Sequence, residues 1–514
     1  VSQIFSSAQA LLREPRLREL LRWCLPALLI GLVLRVVLTV HMPVAYYHDD
    51  APDFLTTPDK LITEHKFELH EKKTFLVPIL FTLPFALPIP AMKTIPFAQH
   101  LMGLGLIVLI GALCRLWFSK WKAFIIPLTV LAAVNPFYLW YEHTIMAETT
   151  FVFCTVLVAL AGTLYAQQPN LPRFVGLCVA LVLEAGGRPE GKLLFGFGLL
   201  LVVLMNWGRL RTTWQQPVAL LVVALVTHLC TKTSQAGLLL YTSVARITPT
   251  ELSCAPGFDP FIHDIRADLQ QRWSERPSFP RVRDRRSIAG AVDNYLKHRG
   301  DNARRHEDVN AFCLRLAKET CLRNLPALPG LALAKFRAVA NESPAARFDN
   351  AILFDKQREA FLDSLPRVLR LSRGLLGSDV HDGDEVQRWV DAHYGEVGWF
   401  NTLSDRWLAV VNAVRLPDAR YPFPESPMGY LMVPGVPLYF IVALLGVVAV
   451  MFRRGDLQFF HIAWGLTLLG FFFTIMLTAN VRPRFRFVFE PFWFIYLALL
   501  VECAWLGVQK LARR

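Results

Sequence analysis

Long apolar runs separated by short polar clusters set the pattern of this chain. Several of the runs reach about 17–25 residues, the length a helix needs to cross a ~30 Å hydrocarbon core. A backbone in lipid must satisfy its own hydrogen bonds, so the runs are expected to be helices. Ten crossings are predicted, at about 24–40, 98–118, 123–140, 148–166, 173–186, 193–207, 217–236, 431–451, 457–478 and 487–508. Residues 74–96 are apolar too, but carry Pro78, Pro84, Pro88, Pro90 and Pro96. Prolines at that density break helices, which predicts an interfacial or re-entrant segment there. Pro58–Lys73, polar with scattered apolar positions, reads as a surface helix.

The fold class expected is therefore an all-α polytopic membrane protein. Its parts are a transmembrane module over 1–236 with a first outer loop at 41–97, a soluble region over 237–429, and a second transmembrane module over 430–514. Amphipathic stretches such as Val309–Leu322 and Leu331–Ala340 make the soluble region mainly helical in expectation.

Composition agrees: 54% of the 514 residues are hydrophobic, and the mean hydropathy is +0.37. The net charge of +13 could suggest a nucleic-acid partner. Most basic residues flank helix ends, however, which is the signature of membrane topology. Arg13, Arg16, Arg18 and Arg22 precede the first run and place that side in the cytoplasm. No small-residue cleavage site follows the run, so it is expected to remain as an anchor. Threading the runs places both termini inside and the chemically interesting polar clusters outside, as at a bacterial inner membrane facing the periplasm. Arg482, Arg484 and Arg486 break the positive-inside bias, and such an exception calls for a negatively charged partner. The nine cysteines are scattered. Cys254, Cys313 and Cys321 alone lie in a polar region, without metal-type spacing, so no zinc is inferred; a Cys313–Cys321 disulfide could form. His228 and Lys232 read as structural, and Glu184 has no assignment.

Four outer clusters carry candidate chemistry: His48, Asp49, Asp50 and Asp53; Glu142, His143 and Glu148; Arg188, Glu190 and Lys192; and Arg482, Arg484 and Arg486. A carboxylate at the membrane surface can take a proton from an attacking hydroxyl. Arginines at the same depth can hold a departing phosphate. A lipid-anchored phosphate sits just there.

In these clusters the chain resembles the GT-C superfamily of integral-membrane glycosyltransferases that use polyprenyl-phosphate-linked sugars, especially its protein O-mannosyltransferase and aminoarabinose transferase branch. The resemblance rests on His48-Asp49-Asp50-Ala51 in the first outer loop, on Asn135-Pro136 through Glu148, on Gly187-Arg188-Pro189-Glu190, and on Arg484-Phe485-Arg486 with Glu490-Pro491. It implies a GT-C-like bundle and inverting transfer of a sugar from a polyprenyl monophosphate to a lipid, glycan or protein acceptor. By resemblance Asp49 stands at the catalytic aspartate, with the base open between Asp49 and Asp50. Arg482, Arg484 and Arg486 would hold the donor phosphate, helped by Lys72 or Lys73. His48, Asp53, Glu142, His143, Glu148, Arg188 and Glu190 would face the sugar or acceptor. No cofactor is required, although a divalent metal is compatible with the sequence. The family's soluble domain usually follows the last helix, whereas here it is inserted. Two other functions fit the membrane setting: a transporter or lipid flippase, and a glycan polymerase or ligase using diphosphate-linked donors. No internal repeat is evident, and the ionisable groups gather at one surface instead of along a path, which disfavours transport.

Overall fold

In the computed structural model the described residues are 15–47, 51–69, 73–209, 213–230, 236–275, 282–298, 309–332, 361, 364–394, 397–415, 417, 419–422, 430–433, 437–453, 455–477 and 489–512. Among them the regular structure is helical apart from one antiparallel ribbon. That ribbon pairs β1 (Ala419–Pro422) with β2 (Tyr430–Val433), Ala419 opposite Val433.

The chain begins with α1 (Pro15–His41). A short α2 (Thr56–Thr63) and α3 (Leu76–Thr82) precede α4 (Ala91–Trp117). Then α5 (Ile125–Val134) and α6 (Pro136–Glu142) meet at a 50° bend. The bend has a local cause. Pro136 has no N–H to continue the ladder, while the Asn135 side chain caps the new helix by accepting from the Phe137 amide at 2.9 Å. Next come α7 (Glu148–Gln167), α8 (Leu171–Gly187), α9 (Leu194–Asn206) and α10 (Gln215–Cys230).

The inserted region supplies α11 (Ala236–Val244), α12 (Asp259–Glu275), α13 (Val282–His298), α14 (Val309–Arg323), α15 (Leu365–Leu376), α16 (Gly383–His393) and α17 (Gly398–Val411). The chain returns to apolar helices with α18 (Leu438–Met451), α19 (Gln458–Leu477) and α20 (Glu490–Ala512).

This is an all-α membrane protein. Among the described residues five stretches are long and apolar enough to cross a bilayer: Leu17–His41, Ala91–Trp117, Glu148–Gln167, Pro189–Asn206 and Glu490–Leu511. The bent pair α5–α6 makes a sixth if it counts as one span. Of the four remaining expected crossings, α19 has 20 residues, whereas α8 has 17, α10 has 16 and α18 has 14. At a rise of about 1.5 Å per residue the three shorter ones span only about 21–26 Å.

Pro96 departs from the expectation of a proline-broken segment ending at 96. It lies inside α4, which starts at Ala91, seven residues earlier than the apolar run suggested. Pro78 also lies within a helix, in the first turn of α3. Pro84 and Pro90 do act as breakers: α3 ends in a 3-10 turn at Leu83–Ala86, and Pro90 sits at the N-cap of α4.

Packing among the described residues separates three large cores and a small cluster of Ala27, Ile107 and Ala133 between α1, α4 and α5. The largest runs through the helix bundle and includes Trp117, Phe197, Trp464 and Tyr496. Close helix approach there relies on glycine. A Cβ on Gly111 of α4 would meet Cys24 of α1, and one on Gly446 of α18 would meet the Tyr496 carbonyl of α20. A second core joins the first loop (Val44, Tyr47, Phe54, Phe81) to α15 and α16 (Leu371, Leu375, Val390). A third lies within 241–331, around Phe258, Ile288 and Phe312. The 237–429 region thus contributes to three cores: α17 joins the bundle core through Phe400 and Trp407, α15 and α16 fold with the first loop, and the earlier part forms its own. Cys313 and Cys321 are both free, against the disulfide expectation. Eight residues apart on α14, they are separated by about 12 Å of helical rise, beyond the roughly 7 Å a disulfide can bridge.

Candidate functional site

Side-chain contacts sort the helix ends into two groups. At one end the buried Glu502 of α20 accepts from the amides of Lys120 (2.7 Å) and Trp121 (3.1 Å) and from Arg453 Nη1 (3.0 Å). Arg115 pairs with Glu19 at the same end. The opposite end gathers the C-terminus of α1, the N-terminus of α4, the end of α6 and the start of α7, and it carries the candidate chemistry.

One polar feature there is a line of four buried side chains. Arg35 of α1 grips Glu142 of α6 through Nε to Oε2 at 2.7 Å and Nη2 to Oε1 at 2.5 Å. Their relative exposures are 3% and 1%, so this is a desolvated fork-to-fork pair, of the kind that costs about 3–5 kcal/mol when one partner is removed. His100 Nδ1 of α4 meets Glu142 Oε2 at 2.9 Å, and His100 Nε2 meets His143 Nδ1 at 3.1 Å. His143 Nε2 then donates to the Val44 carbonyl at 2.9 Å. Burial, reinforced by the neighbouring His100, holds the His143 ring down at about 3. It is neutral at any ordinary pH.

The line ends on the stalk of the first loop, residues 44–47, where every backbone group of Ala45 and Tyr46 is bonded. The Ala45 amide donates to the Met92 carbonyl at 2.6 Å. That carbonyl is available because Pro96, four residues on, has no N–H to offer it. The Tyr46 amide donates to the His143 carbonyl at 2.7 Å, and the Ile145 amide donates to the Tyr46 carbonyl at 3.0 Å. Tyr394 donates its hydroxyl to the Ala45 carbonyl at 2.6 Å. Tyr47 bonds Ser364 through its hydroxyl at 2.9 Å and stacks on Phe361. Each of these bonds removes a freedom the stalk would otherwise have.

A second cluster lies at the α8–α9 turn. Arg188 donates to Glu148 Oε1 at 2.6 Å and to Glu190 at 3.3 Å, and its guanidinium lies over the Phe151 ring at 5.5 Å. Burial alone would lower the Arg188 pKa, but the Glu190 and Glu148 carboxylates outweigh it and leave the group above its ordinary value. Glu148 occupies the first turn of α7, where a carboxylate also suits the helix dipole. Below them the Glu184 carboxylate accepts from the Thr155 hydroxyl at 2.6 Å. The turn is packed against the far side of the first loop: a Cβ on Gly186 would strike the Phe75 ring, and one on Gly191 the Glu184 carbonyl. The loop is therefore gripped where it leaves α1, by the Glu142 line, and again near Phe75, by the Arg188 turn.

Between these grips Lys73 pairs with Asp53 at 3.5 Å and lies over the Phe54 ring at 4.1 Å. Asp59 is held by Arg370 at 2.6 Å and by Arg367 at 3.3 Å, and Arg367 also donates to the Pro52 carbonyl. These contacts clamp α15 onto the loop.

Of the residues singled out in the sequence, His48, Asp49, Asp50, Lys72, Arg482, Arg484 and Arg486 lie outside the described residues. Glu142 and His143 belong to the first line, Glu148, Arg188 and Glu190 to the second cluster, and Asp53 and Lys73 to the loop between them. The described helix after 482–486 starts at Glu490. Pro491, Phe494 and Ile495 of its first turns line a small cleft together with Asn135 and Tyr138 of the Glu142-bearing segment. Arg35 and His100 were missed. Their signal was present, since each is an ionisable group inside a crossing helix, where such groups are costly unless they serve a purpose. Among the described residues, no three His, Cys, Asp or Glu side chains gather to hold a metal ion. No family model matches the chain, and no curated protein matches it.

Proposed function

We propose that the protein is a membrane glycosyltransferase of GT-C type that moves a sugar from a polyprenyl-phosphate donor to an acceptor at the outer face of the membrane. The observation that carries this reading is the mounting of the first loop. The segment leading to Asp49 and Asp50 is fixed by hydrogen bonds from the bundle, as a catalytic group needs if it is to be held in a reactive position. The helix following Arg482, Arg484 and Arg486 begins beside the α5–α6 bend, at Asn135 and Tyr138 of the segment that carries Glu142. Basic residues at the other end, among them Arg115, Lys120, Lys122, Arg453 and Lys510, favour the cytoplasm for that end. The site end then faces outward.

In this mechanism the acceptor hydroxyl oxygen attacks the anomeric carbon from the face opposite the phosphate. The C1–O bond to phosphate breaks as the new C1–O bond forms, so the configuration inverts. The electron pair leaves with the phosphate, whose charge Arg484 and Arg486 neutralise with Arg482 behind them. The acceptor proton passes to Asp49 or Asp50. The threading into ten crossings belongs to this proposal, with α8, α10, α18 and α19 completing the set.

The test is transfer of radiolabelled sugar from purified polyprenyl-phosphate donors to membrane-extract acceptors. Asp49→Asn or Asp50→Asn is expected to lower transfer by about 10²-fold or more, the scale of a lost general base. Undiminished transfer in both variants contradicts the base assignment. Transfer from diphosphate donors alone points to a polymerase or ligase instead.

A further inference from the structure

We propose that Arg35 and His100 are positioning residues: acting through Glu142 and His143, they set the place of the Val44 carbonyl and hence of the stalk that carries the acidic segment. The inference rests on the glycosyltransferase reading, because positioning the stalk affects transfer only if the segment beyond it does chemistry.

The hydrogen-bond direction along the line is fixed at both ends. A carbonyl oxygen only accepts and a guanidinium only donates. His143 Nε2 must therefore carry the proton given to Val44, which leaves Nδ1 of the neutral ring as an acceptor. His100 Nε2 must donate to it. At the other end both Glu142 oxygens accept from Arg35, so the 2.9 Å contact between Glu142 and His100 Nδ1 holds one shared proton. Every polar atom in the line then faces a complementary one. Shifting one member leaves a buried group unsatisfied, which is more costly than an ordinary bond is favourable.

The surrounding helices are shaped for this line. A Cβ on Gly103 of α4 would overlap the Glu142 carboxylate, and one on Gly31 of α1 would lie 2.9 Å from Arg35 Nη1. Arg35 Nη1 also donates to the Gly31 carbonyl at 3.0 Å. The ion pair occupies room left by two absent side chains. The stalk in turn has no slack, since Val44 O, Ala45 N and O, and Tyr46 N and O are all bonded. A displacement at Glu142 therefore passes to residues 44–47 instead of dissipating in a loop.

The test combines two readouts on the full-length protein in nanodiscs. Hydrogen exchange is followed at the Ala45 and Tyr46 amides, with the α7 amides of Val152–Val158 as an internal control. Transfer kinetics are measured in parallel for Arg35→Lys, His100→Ala and His100→Gln. Arg35→Lys and His100→Ala are expected to speed exchange at Ala45 and Tyr46 by about tenfold or more while the control stays unchanged. They are expected to lower kcat by about 10–100-fold, the effect of an ångström-scale misplacement, with donor KM within about twofold. His100→Gln, which keeps a donor and an acceptor, restores part of both. Unchanged protection at Ala45 and Tyr46 overturns the inference, as does loosened protection with unchanged kcat. Uniform loss of protection in all three variants also overturns it, because the line is then only a folding requirement. Absence of transfer in the wild type removes the glycosyltransferase reading alone, and exchange still decides whether the line holds the stalk.

Discussion

Gly103 is where the buried ion pair meets the shape of its surroundings. Gly103→Ala leaves every charge in place but drives a methyl into the space of the Glu142 carboxylate. Overpacking of this kind costs about 1–3 kcal/mol, and thermal unfolding in detergent is expected to show a loss of that order. An unchanged melting temperature would mean that Glu142 can sit elsewhere. His143 gives a pH signature. Its folded value is near 3 against an ordinary 6.5, so between those limits the unfolded chain binds a proton that the folded chain does not. Stability therefore falls as pH drops from about 6.5 toward 3. His143→Asn, which can still donate to Val44, is expected to flatten that part of a stability-against-pH curve. At the residue level the sequence showed Arg35 and His100 as ionisable groups in apolar runs. It could not show their partners, because Arg35 meets Glu142 across 107 positions and nothing local encodes that pairing.

Among the elements, α3 and α4 illustrate what proline patterns do and do not reveal. Pro84 and Pro90 mark breaks as expected, whereas Pro78 sits in the first turn of α3, where its missing N–H has no intrahelical partner to lose, and Pro96 remains inside α4, where the carbonyl it frees finds another donor, the Ala45 amide. Proline content was legible in the sequence, but that substitute donor from a distant loop was not. Pro96→Ala restores an N–H able to compete for the Met92 carbonyl. Faster exchange at the Ala45 amide is expected, by about threefold to tenfold for loss of one net hydrogen bond, with α4 itself no less protected. Exchange unaltered at Ala45 would show that the freed carbonyl does not hold the stalk. The α5–α6 bend at Asn135-Pro136 was readable as a helix end, although the apolar run continued through it. The Arg188 turn belongs to the same scale. Arg188→Ala leaves Glu148 buried without its 2.6 Å donor, and a loss of about 3–5 kcal/mol is expected in chemical unfolding.

Over the whole molecule, the alternation of apolar runs was enough to identify an all-α membrane protein. The number of full-length crossings was harder to read, because apolar composition alone does not say where a helix stops. The co-folding of α15 and α16 with the first loop was also hidden, since the contacts of Asp59 with Arg367 and Arg370 join residues over 300 positions apart. Of the candidate residues, Glu142, His143, Glu148, Arg188 and Glu190 were legible as polar types at helix ends, and the described structure brings them to the same end of the bundle. The supporting line from Arg35 to Val44 was not legible, because each member is separated from its partners along the chain and united only by packing. The far end has its own staple in Glu502, and Glu502→Ala is expected to destabilise the bundle by about 1–3 kcal/mol through the orphaned 120–121 amides. The proposal for the near end is that acids from the first loop and arginines before the last helix meet on one lipid-linked sugar, the acids at the acceptor and the arginines at the phosphate. Photo-labelling with a polyprenyl-phosphate analogue, reactive beside its phosphate, tests this most directly. Labelled peptides from both 44–53 and 482–490 are predicted, and labelling confined to one of them, or found at 115–122 instead, would contradict the account.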